Sequence, residues 1–148
     1  MARKIVIVED NPADAKILKL ALADQDPSIE TVVLEDGSRA IDFFSSVHEL
    51  GDTSPCDLIL LDLNLPRVSG FEVLEFLKTH TRLKKIPVVV LSGSSNQDDI
   101  ERCYSSCANS YMCKPIGVDE VFSMASHLVS YWFDYAKRPG SLRAYSSI

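Results

Sequence analysis

The sequence predicts an α/β chain whose helices cover both faces of a parallel sheet. Three observations carry this. Short runs of β-branched and apolar residues recur along the chain, segments with helical periodicity separate them, and polar side chains collect just after the runs.

The runs with the character of buried strands are Lys4 to Val8, Thr31 to Leu34, Leu58 to Leu61 and Val88 to Leu91, with Ser110 to Cys113 as a weaker fifth. The first helix is expected to start at Asn11 as N-cap, with Pro12 at its first position and Asp14 placed to meet the exposed N–H groups. Its apolar face runs through Ala15, Leu18, Ala21 and Leu22. A second helix follows Gly37 (Ser38 to Ser46), a third follows Gly70 to about Thr79, and a fourth runs from near Asn96 to about Ser106. The fifth spans about 118–135, where Val118, Val121, Phe122, Ala125, Leu128 or Val129, and Trp132 recur at helical spacing.

Five such β-α units form the flavodoxin-like doubly wound arrangement, a five-stranded parallel sheet of order 2-1-3-4-5. The order comes from that known arrangement and is not read from the residues. Residues 1–135 are expected to form one domain. The remainder, 136–148, opens with Ala136-Lys137-Arg138-Pro139-Gly140 and is expected to be a tail, flexible or associated with a dimer.

Composition narrows the function classes. The chain has 148 residues, 46% hydrophobic and 24% charged, an ordinary globular balance. Its net charge of -6 opposes non-specific DNA binding, which depends on Lys and Arg neutralising phosphates. At the amino terminus the apolar run from Ile5 to Val8 is far too short for a secretory or membrane-spanning segment, so a cytoplasmic location is expected. The four cysteines, Cys56, Cys103, Cys107 and Cys113, form no CxxC and have no histidine at a matching spacing, and reduced thiols are expected. Cys103 and Cys107, four apart on the predicted fourth helix, would share a face.

Open parallel sheets gather functional groups at the carboxyl ends of their strands. Strand 1 ends in Glu9-Asp10, strand 3 in Asp62, strand 4 in Ser92 and strand 5 in Lys114-Pro115, so these groups converge on one shallow site. Three crowded carboxylates repel by roughly 4 kcal/mol per pair at about 4 Å and an effective dielectric of 20. They need a cation. An all-oxygen donor set suits Mg²⁺, with Mn²⁺ able to substitute. With Lys114 as a fixed positive charge, the arrangement is the one phosphoryl transfer requires, and Asp62 is the candidate nucleophile.

Val8-Glu9-Asp10-Asn11, Leu60-Leu61-Asp62-Leu63-Asn64-Leu65-Pro66 with Gly70, Val90-Leu91-Ser92-Gly93 and Cys113-Lys114-Pro115 together resemble the landmarks of response-regulator receiver domains in two-component signalling. The resemblance covers roughly residues 3–130. It implies that Asp62 accepts a phosphoryl group from a kinase phosphohistidine, that Asp10 is a direct Mg²⁺ ligand, and that Glu9 acts mostly through metal-bound water. It further implies the backbone carbonyl of Asn64 as a ligand, Ser92 as the hydroxyl that moves to the phosphoryl group, Lys114 as its charge partner and Tyr111 as an aromatic switch. Asn64 and Ser94 fall where the family tunes the lifetime of the phosphoryl group. The Lys114-Pro115 bond is expected to be cis.

Two positions depart from the family pattern: Glu9 replaces a common Asp, and Cys107 stands where many members have Gly. The VEDNPAD opening, the long Glu49 to Cys56 loop and the aromatic last helix are most similar to regulators that partner bacterial and cyanobacterial phytochromes. That similarity implies a light-regulated histidine kinase as donor; a downstream protein target is expected for the output, and the charge and the short apolar run argue against direct nucleic acid or membrane contact. Tyr131, Trp132, Phe133 and Tyr135 widen the apolar character of the last helix beyond one stripe, which points to a homodimer. Two other classes fit less well. An aspartate-nucleophile phosphatase would want a second acid where Asn64 stands, and a flavodoxin-like binding protein would want a phosphate-cradling loop where Glu9-Asp10 repels anions.

Overall fold

The computed structural model describes residues 3–46 and 54–139. The expected loop from Glu49 therefore lies largely outside the described residues, as does the tail beyond 139. Five strands, β1 (Arg3–Val8), β2 (Ile29–Leu34), β3 (Leu58–Leu61), β4 (Val88–Ser92) and β5 (Ser110–Cys113), pair in parallel in the order β2-β1-β3-β4-β5. The expected fold class and strand order hold. Helices α1 (Pro12–Gln25), α2 (Gly37–Ser45), α3 (Gly70–Thr79), α4 (Gln97–Ser105) and α5 (Val118–Val129) connect and cover the strands.

The central strands are buried on both faces, which is why they read as unbroken apolar runs. Ile5, Ile7, Leu58, Leu60, Val89 and Leu91 face one layer, built with Leu18, Ala21 and Leu22 of α1 and Met124, Ala125 and Leu128 of α5. Val6, Val8, Ile59, Leu61, Val88 and Val90 face the other, with Phe44 of α2, Val73, Leu74 and Leu77 of α3 and Cys103 of α4. Alternate residues thus go to opposite faces, as the two-residue strand period demands.

Helix starts follow local chemistry. Asn11 accepts from the N–H groups of Ala13 and Asp14, Asp36 from Arg39, Ser69 from Glu72 and Asn96 from Asp98, each satisfying donors that the first turn leaves unpaired. Strand β2 begins two residues earlier than expected, because Ile29 and Glu30 pair with Arg3 and Lys4.

Several expectations need correction. Helix α4 stops at Ser105, and Cys107 takes a left-handed conformation with φ 71°. Its N–H donates to Tyr104 O, while that of Ala108 donates to Cys103 O, a Schellman cap. Cys103 is buried and Cys107 exposed, so the two thiols do not share a helix face. The residue type common in the family is thereby explained, since glycine adopts that conformation without a Cβ penalty. The last helix does not continue regularly to 135. After Val129 it widens into a π-helical turn, Ser130–Tyr135. No cis peptide bond occurs among the described residues, so Lys114-Pro115 is trans, the form X-Pro bonds favour by about 0.5–1 kcal/mol.

Candidate phosphoryl-transfer and cation site

At the carboxyl edge of the sheet the predicted residues come together. β1 delivers Glu9 and Asp10, β3 delivers Asp62, β4 ends in Ser92, and β5 leads directly into Lys114. Glu9, Asp62 and Ser92 are buried, while Asp10 is exposed at the rim. Carboxylate oxygens of Glu9, Asp10 and Asp62 all lie within 4.8 Å of one another. Three hard oxygen donors at that spacing, one of them open to solvent, fit a divalent cation that retains water.

Gly70 makes the floor of this site possible. A Cβ at Gly70 would lie 2.2 Å from the Asp62 carbonyl oxygen and 2.5 Å from Leu63 Cα, so only glycine lets α3 begin against the β3 terminus. Its N–H donates to Leu63 O at 2.9 Å, and Asn64 N donates to Asp62 Oδ1 at 3.4 Å, closing the turn that holds the Asp62 side chain.

Lys114 is the counter-charge. Its Nζ bonds Glu9 Oε1, lies 3.2 Å from Asp62 Oδ2, and lies 3.4 Å from Asp14 Oδ2. Burial pulls the ammonium toward neutrality, but the Glu9 hydrogen bond and the Asp62 charge more than offset this and hold Lys114 above its ordinary value. Burial pushes Glu9 up to about 7, with the Asp62 charge adding to it and the Lys114 hydrogen bond working against it. Asp14 is therefore a site neighbour that sequence reasoning assigned only to the helix start. Its signal was its position one turn past the cap, where a side chain leans back over the helix start.

Around Ser92 the hydrogen bonds run through Ser94. The Ser94 N–H donates to Ser92 Oγ at 3.1 Å, and Tyr111 Oη donates to Ser94 O at 2.8 Å. Tyr111 is half-buried against the core layer that includes Val90. The Ser94 hydroxyl donates to Asp99 Oδ2 at 2.7 Å, a contact no sequence pattern indicated. Trp132 and Phe133, two of the four aromatics expected at a dimer interface, pack instead against the layer holding Leu128, whereas Tyr131 and Tyr135 are exposed.

A sheet-edge site of three carboxylates, a lysine and a buried hydroxyl on this fold defines a phosphorylation receiver, and the chain belongs to the response regulator receiver domain family, whose model matches residues 5–126. It is 38% identical over 136 residues to the probable methanogenesis regulatory protein FilR2 of Methanothrix harundinacea, covering 92% of this chain and 87% of that one. To the response regulator Rcp1 of Synechocystis sp. it is 36% identical, covering 93% of each. Among solved structures it resembles the phosphorylated cyanobacterial phytochrome response regulator RcpA, with a TM-score of 0.86, 40% identity, and 94% of this chain and 99% of that chain covered. The Mn²⁺-bound form of Rcp1 follows at a TM-score of 0.82 and 36% identity, with 93% and 99% covered. The protein is thus a response regulator related to those of cyanobacterial phytochromes, a family that works with sensor histidine kinases. No described helix is long and apolar enough to cross a membrane.

Proposed function

We propose that the chain carries a light-dependent signal in the cytoplasm by accepting a phosphoryl group on Asp62 from the phosphohistidine of a phytochrome-type histidine kinase. The observation that carries this reading is the single ammonium of Lys114 held by both Glu9 and Asp62, with Asp10 in reach: a nucleophilic carboxylate already flanked by the charges transfer needs. A carboxylate oxygen of Asp62 forms the new P–O bond as the P–N bond of the donor breaks. The electron pair returns to the imidazole.

Glu9, Asp10, Asp62 and the carbonyl of Asn64 would hold Mg²⁺ or Mn²⁺, which when bound offsets charge on the phosphoryl oxygens. Lys114 then pairs with the phosphoryl group, Ser92 donates to it, and Tyr111, through Ser94, follows the state of Ser92. The chain turns over no free substrate on this reading; it acts on its own Asp62 and signals through protein contacts. The phytochrome assignment rests on the relatives at 40% and 36% identity over nearly their whole length. A homodimer through the exposed Tyr131 and Tyr135, with residues 136–148 as an appended tail, would supply one such contact.

The test is phosphotransfer from a radiolabelled, autophosphorylated phytochrome kinase in Mg²⁺, comparing the wild type with Asp62→Asn. Label is expected on the wild type and lost from the variant and from samples with the metal chelated. Retention of label by Asp62→Asn would refute the assignment.

A further inference from the structure

The loop from Ser92 to α4 has little packing to hold it. Nothing lies within 4 Å of where a Gly93 Cβ would be, and Ser95 is exposed. Its conformation rests on Ser94, whose polar groups are all engaged. The N–H goes to Ser92 Oγ, the carbonyl takes Tyr111 Oη, and the hydroxyl accepts from Asn96 N at 3.1 Å while donating to Asp99 Oδ2 at 2.7 Å. The last bond is the strongest tether, because a hydroxyl on a carboxylate is charge-assisted. It is also the link that ties the Ser94 side chain to the body of α4, which Arg102 in turn fixes by stacking 4.0 Å over the ring of Phe71 on α3.

We propose that Asp99 is a positioning residue for phosphoryl transfer: by anchoring the Ser94 hydroxyl it holds the Ser94 N–H on Ser92 Oγ, so that the Ser92 proton points to the incoming phosphoryl oxygen. A hydroxyl has one proton and two acceptor lone pairs. Ser92 is fully buried and so closed to bulk solvent, and the Ser94 N–H occupies one lone pair and leaves the proton to be donated. Released from Asp99, Ser94 can turn, and Ser92 loses the partner that sets its direction. The inference rests on Asp62 being the acceptor.

The experiment uses a small acyl phosphate as donor, so that kinase docking plays no part; the acyl P–O bond breaks, the P–O bond to Asp62 forms and the acid leaves as carboxylate. In Mg²⁺, Asp99→Ala is expected to lower the initial rate of Asp62 labelling by about threefold to tenfold, the leverage of one hydrogen bond. Calorimetric Mg²⁺ affinity should be unchanged. Asp99→Asn keeps an oxygen acceptor and should stay within about twofold of the wild type. Ser94→Ala should slow labelling as Asp99→Ala does, and the double variant should be no slower than either single one, because both remove the same bond. Equal labelling of the wild type and Asp99→Ala would overturn the inference while leaving Asp62 as acceptor. Losses that multiply in the double variant would overturn it too, placing the action of Asp99 elsewhere. A wild type that takes no label at all would instead overturn the assignment of Asp62 on which it stands.

Discussion

Glu9 bears the sharpest conflict at the residue scale, a buried carboxyl beside a second carboxylate and one shared ammonium. Burial, first, and the Asp62 charge raise it to about 7 from an ordinary 4.5, against the Lys114 hydrogen bond. A raised acid binds its proton more tightly in the folded state, so the stability it contributes is fully present below pH 4.5 and is lost as pH rises to about 7. In metal-free buffer, the unfolding free energy of the wild type relative to Glu9→Gln should therefore fall across that window and level off above it. Denaturant titrations of both proteins across the window, with chelator present, measure the difference, and parallel curves would show that Glu9 ionises as freely folded as unfolded. A divalent cation prefers the ionised form, so added Mg²⁺ should flatten the slope.

Two elements end in ways that can be tested at their own scale. Cys107 holds the left-handed cap of α4, where a Cβ costs roughly 1–2 kcal/mol, and its thiol is exposed. Cys107→Gly should stabilise the protein by about 1 kcal/mol, seen as a higher denaturant midpoint at constant slope. Lys78, near the end of α3, donates to Lys84 O, Ile86 O and Asn109 Oδ1, joining that helix to the segment before β4 and the loop before β5. Burial pulls this ammonium below its ordinary value, yet its three acceptors match its three protons. Lys78→Met keeps the stem and leaves those acceptors behind, and a loss of about 2 kcal/mol is expected in the same titration. Elements of this kind differ in how far sequence reveals them. Strands β1, β3 and β4 were legible because burial on both faces leaves unbroken apolar runs in them, Ile5 to Val8, Leu58 to Leu61 and Val88 to Leu91, and α1 because Asn11-Pro12 marks its start. The first two residues of β2 were not, since only pairing with Arg3 and Lys4 makes them strand.

For the whole molecule, topology is what made the site legible: once the strand order is known, Glu9, Asp10, Asp62, Ser92 and Lys114 must share one edge. The contact of Asp99 with Ser94 escaped because it depends on side-chain direction across a loop, which no spacing rule encodes. The chain end shows the same limit. Helical spacing predicted a regular helix to 135, but the π-helical turn shifts the register and divides the four aromatics into two pairs. Phe133 turns inward and is stacked by two guanidinium groups, Arg3 at 5.1 Å and Arg138 at 4.5 Å from its centroid, while Arg138 also donates to Trp132 O. Arg3 bonds Asp26, so the end of the last helix is tied to β1 and to the end of α1. Tyr131 and Tyr135, at 57% and 77% exposed, are left pointing outward. The two pairs should therefore fail differently. Phe133→Ala should cost about 2 kcal/mol of stability, since it removes a packed ring and both cation-π partners. The double change Tyr131→Ser with Tyr135→Ser should cost less, about 1 kcal/mol of unfolding free energy, since both rings are exposed and only the edge-on contact of Tyr131 with Trp132 is lost. If these tyrosines form the dimer, light scattering will show the doubly substituted protein at the monomer mass under conditions where the wild type is twice that. A wild type that stays monomeric with and without phosphorylation would instead leave the two exposed rings free for the downstream target.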